Sequence, residues 1–134
     1  MFKKYEEIGA WQKGRELVKA VYALTGKGAF AKDWGLRDQI QRAAVSICSN
    51  IAEGFERRGN KEFVKFLWIA KGSAAEVSYQ LYHALDLNYI TQEEFDSFYG
   101  LSKQICAAIH NLIKSLVTSP QGLDHVRMVE KVIG

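Results

Sequence analysis

Apolar residues recur at three- and four-residue steps through four segments of the chain, the spacing that places side chains on one face of an α-helix. The predicted helices cover about residues 8–24, 36–55, 61–87 and 91–117. No segment alternates apolar and polar residues as a half-buried strand does. Because the helices are amphipathic and joined by short loops, the pattern predicts an all-α fold, an antiparallel up-down-up-down four-helix bundle.

Polar residues and glycines mark the ends of these helices. Thr91 and Glu94 have the spacing of a capping box at the start of the fourth helix. Asn60, just before an apolar run, is predicted to be the N-cap of the third helix. In the linker between the first two helices, the two aromatic residues Phe30 and Trp34 are predicted to fold back onto the bundle.

Length and composition indicate one domain. The chain has 134 residues, and we assign residues 1–117 to the bundle and residues 118–134 to a tail, either a short extra helix or a flexible end. No apolar run approaches the roughly 20 residues that cross a membrane, and the amino terminus lacks the apolar core of a signal peptide. We therefore expect a cytoplasmic protein. Cys48 and Cys106, each within an apolar helical pattern, are interpreted as small buried residues.

A polar stripe runs beside the apolar face of the second predicted helix. Ser46, Asn50 and Glu53 are spaced to share one helix face, and Ser73 and Glu76 are placed similarly on the third helix, in corresponding positions near the turn between the two. Two interpretations stay open: these groups pair across the helices, or they contact a neighbouring subunit or a ligand. The full set of motif residues is Arg42, Ser46, Asn50, Glu53, Gly54, Gly72, Ser73 and Glu76.

Charge is unevenly distributed along the chain. The net charge is +3, but residues 1–73 hold 14 basic and 8 acidic side chains, whereas residues 74–117 hold 2 basic and 5 acidic ones. A basic region attracts polyanions, and it can also steer like subunits together. The candidate nucleic-acid-binding residues lie on the second helix, the following turn and the third helix: Arg37, Arg42, Arg57, Arg58, Lys61, Lys65 and Lys71. The alternative is an ordinary solvated surface.

Catalytic chemistry has little support in the sequence. His83 and His110 fall on antiparallel helices and could face each other, but no Glu-x-x-His pattern accompanies them. Glu53 and Glu76 could form a carboxylate pair, yet neither has a nucleophile or metal ligand nearby in the sequence. The glycines form no phosphate-binding loop. We therefore expect no enzymatic activity, no cofactor and no metal.

Several motifs together resemble a known family across about residues 5–117. They are Trp11 with Leu17 and Tyr22, Gly35-Leu36 and Gln39, Arg42-Ala-Ala-Val-Ser46, Ser49-Asn50-Ile-Ala-Glu53-Gly54, and Ala70-Lys-Gly72-Ser73 with Glu76. The sequence is similar to the four-helix bundle proteins that include those encoded within intervening sequences of bacterial 23S ribosomal RNA genes. It departs from the pattern at Ala31 and Cys48, where that family commonly has proline.

The resemblance implies a homopentamer of bundles around a central channel. A related branch, the accessory proteins of diversity-generating retroelements, forms a basic barrel that binds a reverse transcriptase and nucleic acid. Two functions remain open. One is a non-catalytic oligomer that binds RNA or DNA, or scaffolds a nucleic-acid enzyme, through its basic face. The other is a structural or protein-interaction oligomer with no role in nucleic-acid binding.

Overall fold

A computed structural model of the protein describes residues 2–118, and these residues form helices joined by short turns. A short 3-10 helix at Tyr5–Glu7 precedes five α-helices: α1 (Gly9–Thr25), α2 (Gly28–Lys32), α3 (Trp34–Glu56), α4 (Asn60–Asp86) and α5 (Gln92–Thr118). No strand occurs within residues 2–118. The predicted all-α fold is therefore confirmed, with α1, α3, α4 and α5 as the four predicted helices.

The four long helices pack in a ring, each antiparallel to the helix before it. Helix α4 packs between α3 and α5, and α1 closes the ring by contacting α3 and α5. Every long helix contributes fully buried aliphatic side chains to one continuous core, among them Leu17, Ile47, Leu67 and Ile105. This arrangement is the up-down-up-down bundle that the apolar spacing predicted.

The predicted capping box is confirmed at the start of α5, whereas the predicted cap of α4 is wrong. The Thr91 amide donates to Glu94 Oε1 at 2.9 Å, and the Glu94 amide donates to Thr91 Oγ1 at 3.1 Å. Asn60 is instead the first residue of α4, and Gly59 occupies the cap position with a φ of 84°. A positive φ suits glycine, so the tight turn ends at Gly59 and leaves Asn60 already helical.

The linker between α1 and α3 contains the short helix α2. Phe30 is buried and stacks on Tyr89 with ring centroids 5.3 Å apart, as predicted for the first linker aromatic. Trp34 is 69% exposed, so the prediction for the second is wrong. Trp34 begins α3 on the same outward face as Val45, three helical turns later, and therefore points away from the core. The Ala31 amide donates to Lys27 O, a bond that proline could not make.

The tail predicted from residue 118 onwards falls outside the described residues, apart from Thr118, which ends α5. Among the helices of residues 2–118, none is both long and apolar enough to cross a membrane.

Candidate nucleic-acid interface

The seven candidate basic residues lie in separate parts of the bundle. Arg57, Arg58, Lys61 and Lys65 surround the turn between α3 and α4. Arg37 is near the start of α3 and Arg57 directly follows its end, so about 30 Å of helix separates them. Arg42 lies in a groove between α3 and α4, and Lys71 lines a depression between α4 and α5. The structure thus brings four of the seven together.

Arg57, Arg58, Lys61 and Lys65 are referred to below as the basic turn. Arg57 donates to Glu53 at 2.8 Å and also lies over the Phe66 ring, 5.1 Å from its centroid. Lys65 contacts Glu62 at 3.5 Å. Arg58 and Lys61 form no ion pair with any residue between 2 and 118. The basic turn therefore combines two side chains that each contact a carboxylate with two cations that form no ion pair within residues 2–118.

Arg37 is held at the other end of α3 by contacts within the chain. Its Nη1 donates to Ala31 O at 2.9 Å, and its Nε donates to Asp38 at 3.2 Å. The side chain joins α2 to the start of α3. Its role in this structure is to connect these two helices.

The motif serines and Asn50 meet between α3 and α4. Ser46 Oγ and Ser73 Oγ are hydrogen-bonded at 2.8 Å, and Ser73 also donates to Ile69 O. Asn50 Nδ2 donates to the carbonyl and the hydroxyl oxygen of Ser46 at 2.8 and 2.9 Å. Because a buried hydroxyl is costly without a partner, the bond between Ser46 and Ser73 favours this pairing of α3 with α4, and the other bonds satisfy polar groups within each helix.

The two motif glycines have different surroundings. A Cβ on Gly54 would lie 2.6 Å from Phe66 Cβ, so α3 and α4 approach too closely for any larger residue. A Cβ on Gly72 would meet no atom within 4 Å, and Gly72 is exposed in the middle of α4. The packing of the single chain therefore explains why position 54 is glycine, and it does not explain why position 72 is glycine.

Glu53 and Glu76 are not in corresponding places, contrary to the sequence-based prediction. Glu53 is next to Gly54, which packs against Phe66, so Glu53 lies near the level of Phe66 on α4. Glu76 lies about 15 Å further along α4 than Phe66, at the rise per residue of an α-helix. Glu53 pairs with Arg57, and Glu76 accepts from Gln80 Nε2 at 3.2 Å. The separation excludes a carboxylate pair within this chain.

Gln80 extends the polar contact between α3 and α4 towards the other end of the bundle. Its Nε2 lies 3.4 Å from Gln39 Oε1 as well as near Glu76. The side chain is only 5% exposed, and its Oε1 is buried with no hydrogen-bond partner in the described part of the chain. An open groove of about 420 Å³ lies beside it, lined by Gln39, Arg42, Ala43, Ser46 and Glu76.

On the other side of α4, a depression of about 430 Å³ lies between α4 and α5. Its lining is Lys71, Lys103, Cys106, Ala107, His110 and Asn111, referred to below as the basic depression. The Lys71 ammonium lies 5.0 Å from the Trp68 ring centroid, and the Lys103 ammonium lies 5.2 Å from the Tyr99 ring centroid. Among these lining residues, the sequence pattern pointed to Lys71 alone. The available signal for the others was the absence of any Asp or Glu from residues 97–118.

The histidine and cysteine side chains of residues 2–118 do not assemble a metal site. Tyr82 packs against Phe95 with ring centroids 4.9 Å apart, which places the adjacent His83 near that level of α5. His110 lies about 22 Å further along α5 than Phe95, so the two histidines do not face each other. Within residues 2–118, no three His, Cys, Asp or Glu side chains are grouped to hold a metal.

Both cysteines are partly buried rather than fully buried. Burial raises the pKa of the Cys48 thiol to about 11, against the opposing charge of Arg15. Burial likewise raises the pKa of the Cys106 thiol, and Lys103 and Lys71 oppose that rise. A raised pKa keeps both thiols protonated near neutral pH, which is the state of a poorly reactive cysteine.

Comparison with known proteins agrees with the motif series and the bundle. The family model described as 23S rRNA-intervening sequence protein matches residues 6–111. The chain belongs to this family. A solved structure from the S23 ribosomal protein family, a Bacteroides thetaiotaomicron protein of unknown function, shares 27% sequence identity with a TM-score of 0.72. That match covers 78% of this chain and 98% of the other, so the two bundles share one fold. No curated protein matches the sequence.

Proposed function

We propose that this member of the 23S rRNA-intervening sequence protein family is a non-catalytic oligomeric bundle that binds nucleic acid through the basic turn. The observation that carries the proposal is the pair Arg58 and Lys61, two cations without an ion-pair partner in residues 2–118, beside Arg57 and Lys65. Free cations on a turn can displace the counterions of a phosphate backbone, which is the main source of sequence-independent affinity.

Oligomerisation would multiply this charge. The family resemblance implies a pentamer, and five copies of the basic turn around a ring would meet a polyanion with ten such unpaired cations. The same surface would let the oligomer scaffold a nucleic-acid enzyme, such as a reverse transcriptase, on its template. Both roles need binding and positioning only, and neither needs a catalytic group on this chain.

The test is a salt titration of binding to labelled RNA and DNA, with wild type compared to the double variant Arg58→Glu and Lys61→Glu. Arg57 and Lys65 stay unchanged because each already contacts a carboxylate. The matched control reverses two exposed lysines on the outward face of α1, Lys13→Glu and Lys19→Glu, with the same change in net charge.

The expected result is a steep fall of affinity with salt for wild type and for the α1 control, and a shallower slope for the basic-turn variant. The loss of two phosphate contacts lowers the slope of log K against log salt by about 1.4 for single strands and about 1.8 for duplex DNA. If wild type shows no binding at low salt, or if both variants lose affinity equally, the proposal is wrong.

A second candidate function, a protein-interaction oligomer without nucleic acid, is favoured by the outward face of α4. Ile69 is 52% exposed and Tyr79 is 64% exposed, and Gly72 between them has open space above its Cα. Exposed apolar side chains beside a glycine suit the close approach of another protein surface. Light scattering of wild type and Gly72→Leu tests this face: a smaller oligomer for the variant would support it. A stable wild-type monomer at micromolar concentration would contradict the pentamer.

A further inference from the structure

We infer that the basic depression between α4 and α5 is a binding site for single-stranded nucleic acid, in which the lysines hold phosphate and Trp68 stacks on an unpaired base. This inference rests on the proposed function and adds a second contact surface to it. The depression lies on the α5 side of α4, whereas the groove that holds Arg42 lies on the α3 side.

Charge is the first argument. The lining contains two lysines, a histidine and an asparagine and no acidic residue. Along α5 there is no Asp or Glu from residue 97 to residue 118. Neither lysine forms an ion pair with a residue between 2 and 118. An anion that enters the depression therefore meets positive charge and hydrogen-bond donors without a competing carboxylate.

Preorganisation is the second argument. Lys71 and Lys103 are each placed over an aromatic ring, Trp68 and Tyr99 respectively. A cation held on a ring keeps its charge and loses less side-chain freedom when it binds a ligand. The charges of both lysines also oppose the rise that burial causes in the pKa of the Cys106 thiol, which lies in the same depression. The two ammonium groups are thus brought to one place by two different helices.

An aromatic side chain beside the lysines is the third argument. Cys106 Sγ donates to Lys71 O at 3.8 Å, which sets the level at which α4 and α5 meet. Trp68 is one helical turn before Lys71, so on the antiparallel α5 it lies near the level of His110. Trp68 is 45% exposed. Lysines that follow a backbone and an aromatic ring that accepts a base are the features of single-strand sites. The depression, of about 430 Å³, is wide open to solvent, so an extended strand could lie across it without being enclosed.

The binding test uses a labelled oligouridylate and the full chain, with Lys71→Glu and Lys103→Glu as the test variant. Its matched control is again Lys13→Glu and Lys19→Glu on α1. The loss of two phosphate contacts at about 0.1 M salt weakens single-strand binding by on the order of 25-fold. We expect that loss for the depression variant and a change below about threefold for the control. The Lys71→Arg and Lys103→Arg variant should retain binding.

Each other result overturns the inference. If wild type binds and the basic-turn variant loses affinity while the depression variant does not, the inference fails and the proposed function stands. If wild type does not bind at all, both fail. If the depression variant changes the oligomer size in light scattering, the depression is a subunit contact rather than a nucleic-acid site. Circular dichroism of each variant identifies a loss that comes from unfolding, and Lys71→Gln with Lys103→Gln then replaces the glutamate pair.

Fluorescence tests the stacking part separately. A variant that keeps Trp68 alone, with Trp11→Phe and Trp34→Phe, should be quenched at saturating oligouridylate. A variant that keeps Trp34 alone is the control, because Trp34 is exposed at the start of α3, away from the depression. Equal quenching of both, or no quenching of Trp68, contradicts stacking.

The two thiols provide a footprint within one molecule. Both are partly buried and both have a raised pKa, but Cys48 faces α1 and bonds to Trp11 O, whereas Cys106 lines the depression. Bound oligouridylate should slow alkylation of Cys106, measured by peptide mass spectrometry, and leave that of Cys48 unchanged. Unchanged alkylation of Cys106 at saturation would place the strand elsewhere.

Discussion

The contact between α4 and α3 combines small residues and a side-chain hydrogen bond with one aromatic pair, whereas the contact between α4 and α5 includes a cluster of three aromatic rings and leaves lysines at the surface. On the α3 side, Gly54 permits a close approach and Ser46 bonds to Ser73. On the α5 side, the Tyr82 ring meets those of Phe95 and Tyr99 with centroids 4.9 and 5.7 Å apart. The contact with α3 therefore includes a hydrogen bond between two side chains, whereas the contact with α5 includes three clustered rings and a bond from Cys106 Sγ to Lys71 O.

The two contacts of α4 also differ in how their polar side chains are used within the chain. Ser46, Ser73 and Asn50 use their hydrogen-bonding capacity within the chain: Ser46 bonds to Ser73 across the two helices, and Asn50 bonds to Ser46 within α3. Lys71 and Lys103 contact aromatic rings and keep their charges. The two serine hydroxyls thus take part in packing, whereas the two lysine ammonium groups form no ion pair within residues 2–118.

The largest expected effect is that of Gly54→Ala. The new Cβ would lie 2.6 Å from Phe66 Cβ, a backbone-attached atom, so the helices must move apart. We expect the free energy of unfolding to fall by about 3 kcal/mol, the upper part of the range for an overpacked core. Urea denaturation followed by circular dichroism measures it.

Gly72→Ala is the matched control in the neighbouring helix. Its Cβ meets nothing within 4 Å. Because alanine is more favourable than glycine in the interior of a helix, the free energy of unfolding of this variant should rise by about 0.5 kcal/mol. If both glycine variants had similar small effects, the close contact between α3 and α4 would not be the constraint described.

A smaller effect is expected from Ser46→Ala and Ser73→Ala. Each should cost about 1 kcal/mol of unfolding free energy, and the double variant should lose less than the sum because both changes remove one shared bond. A double-mutant cycle in urea gives the coupling energy. Ser102 donates to Phe98 O in its own helix and does not contact Ser46, so a cycle of Ser46→Ala with Ser102→Ala should show none. Coupling of equal size in both cycles would contradict a specific contact.

The smallest effect is expected for Gln80→Met, which conserves volume. It removes a buried oxygen without a partner in residues 2–118 and gives up two long hydrogen bonds, to Gln39 and Glu76. We expect the cost of burying an oxygen without a hydrogen bond to exceed the contribution of those two long bonds, so the free energy of unfolding should rise by about 0.5–1 kcal/mol. Thermal unfolding checks the sign, with Gln104→Met on the exposed face of α5 as the control. A loss of stability would show that these bonds hold α3 to α4.

Local patterns predicted the helices well because each signal lies within a few residues. The capping box of Thr91 and Glu94 and the four apolar stripes are of this kind. The prediction for Asn60 was wrong by one residue because Gly59, with a positive φ, takes the cap position and α4 begins at Asn60. The prediction that Trp34 packs on the bundle was wrong because its exposure depends on the direction in which α3 leaves the linker.

The candidate site was harder to predict because it depends on the register between helices. The sequence places Glu53 and Glu76 on suitable faces but does not say how far one helix has slid along the other. Lys71 and Lys103 are distant in the sequence, and only the pairing of α4 with α5 brings them to one depression. Separations along a helix can be read from the sequence, and separations between helices cannot.

Asp33 joins two ends of the fold, and this has a kinetic consequence. Its Oδ1 caps α3 by accepting from the Leu36 amide, while its Oδ2 accepts from Tyr89 Oη at 2.9 Å, across 56 residues. The cap can form as soon as α3 begins to coil, but the bond to Tyr89 must wait until α4 has folded back along α3. The carboxylate therefore takes part in an early local step and a late long-range one. Removing the Tyr89 hydroxyl should mainly accelerate unfolding, whereas removing the Asp33 cap should also slow folding.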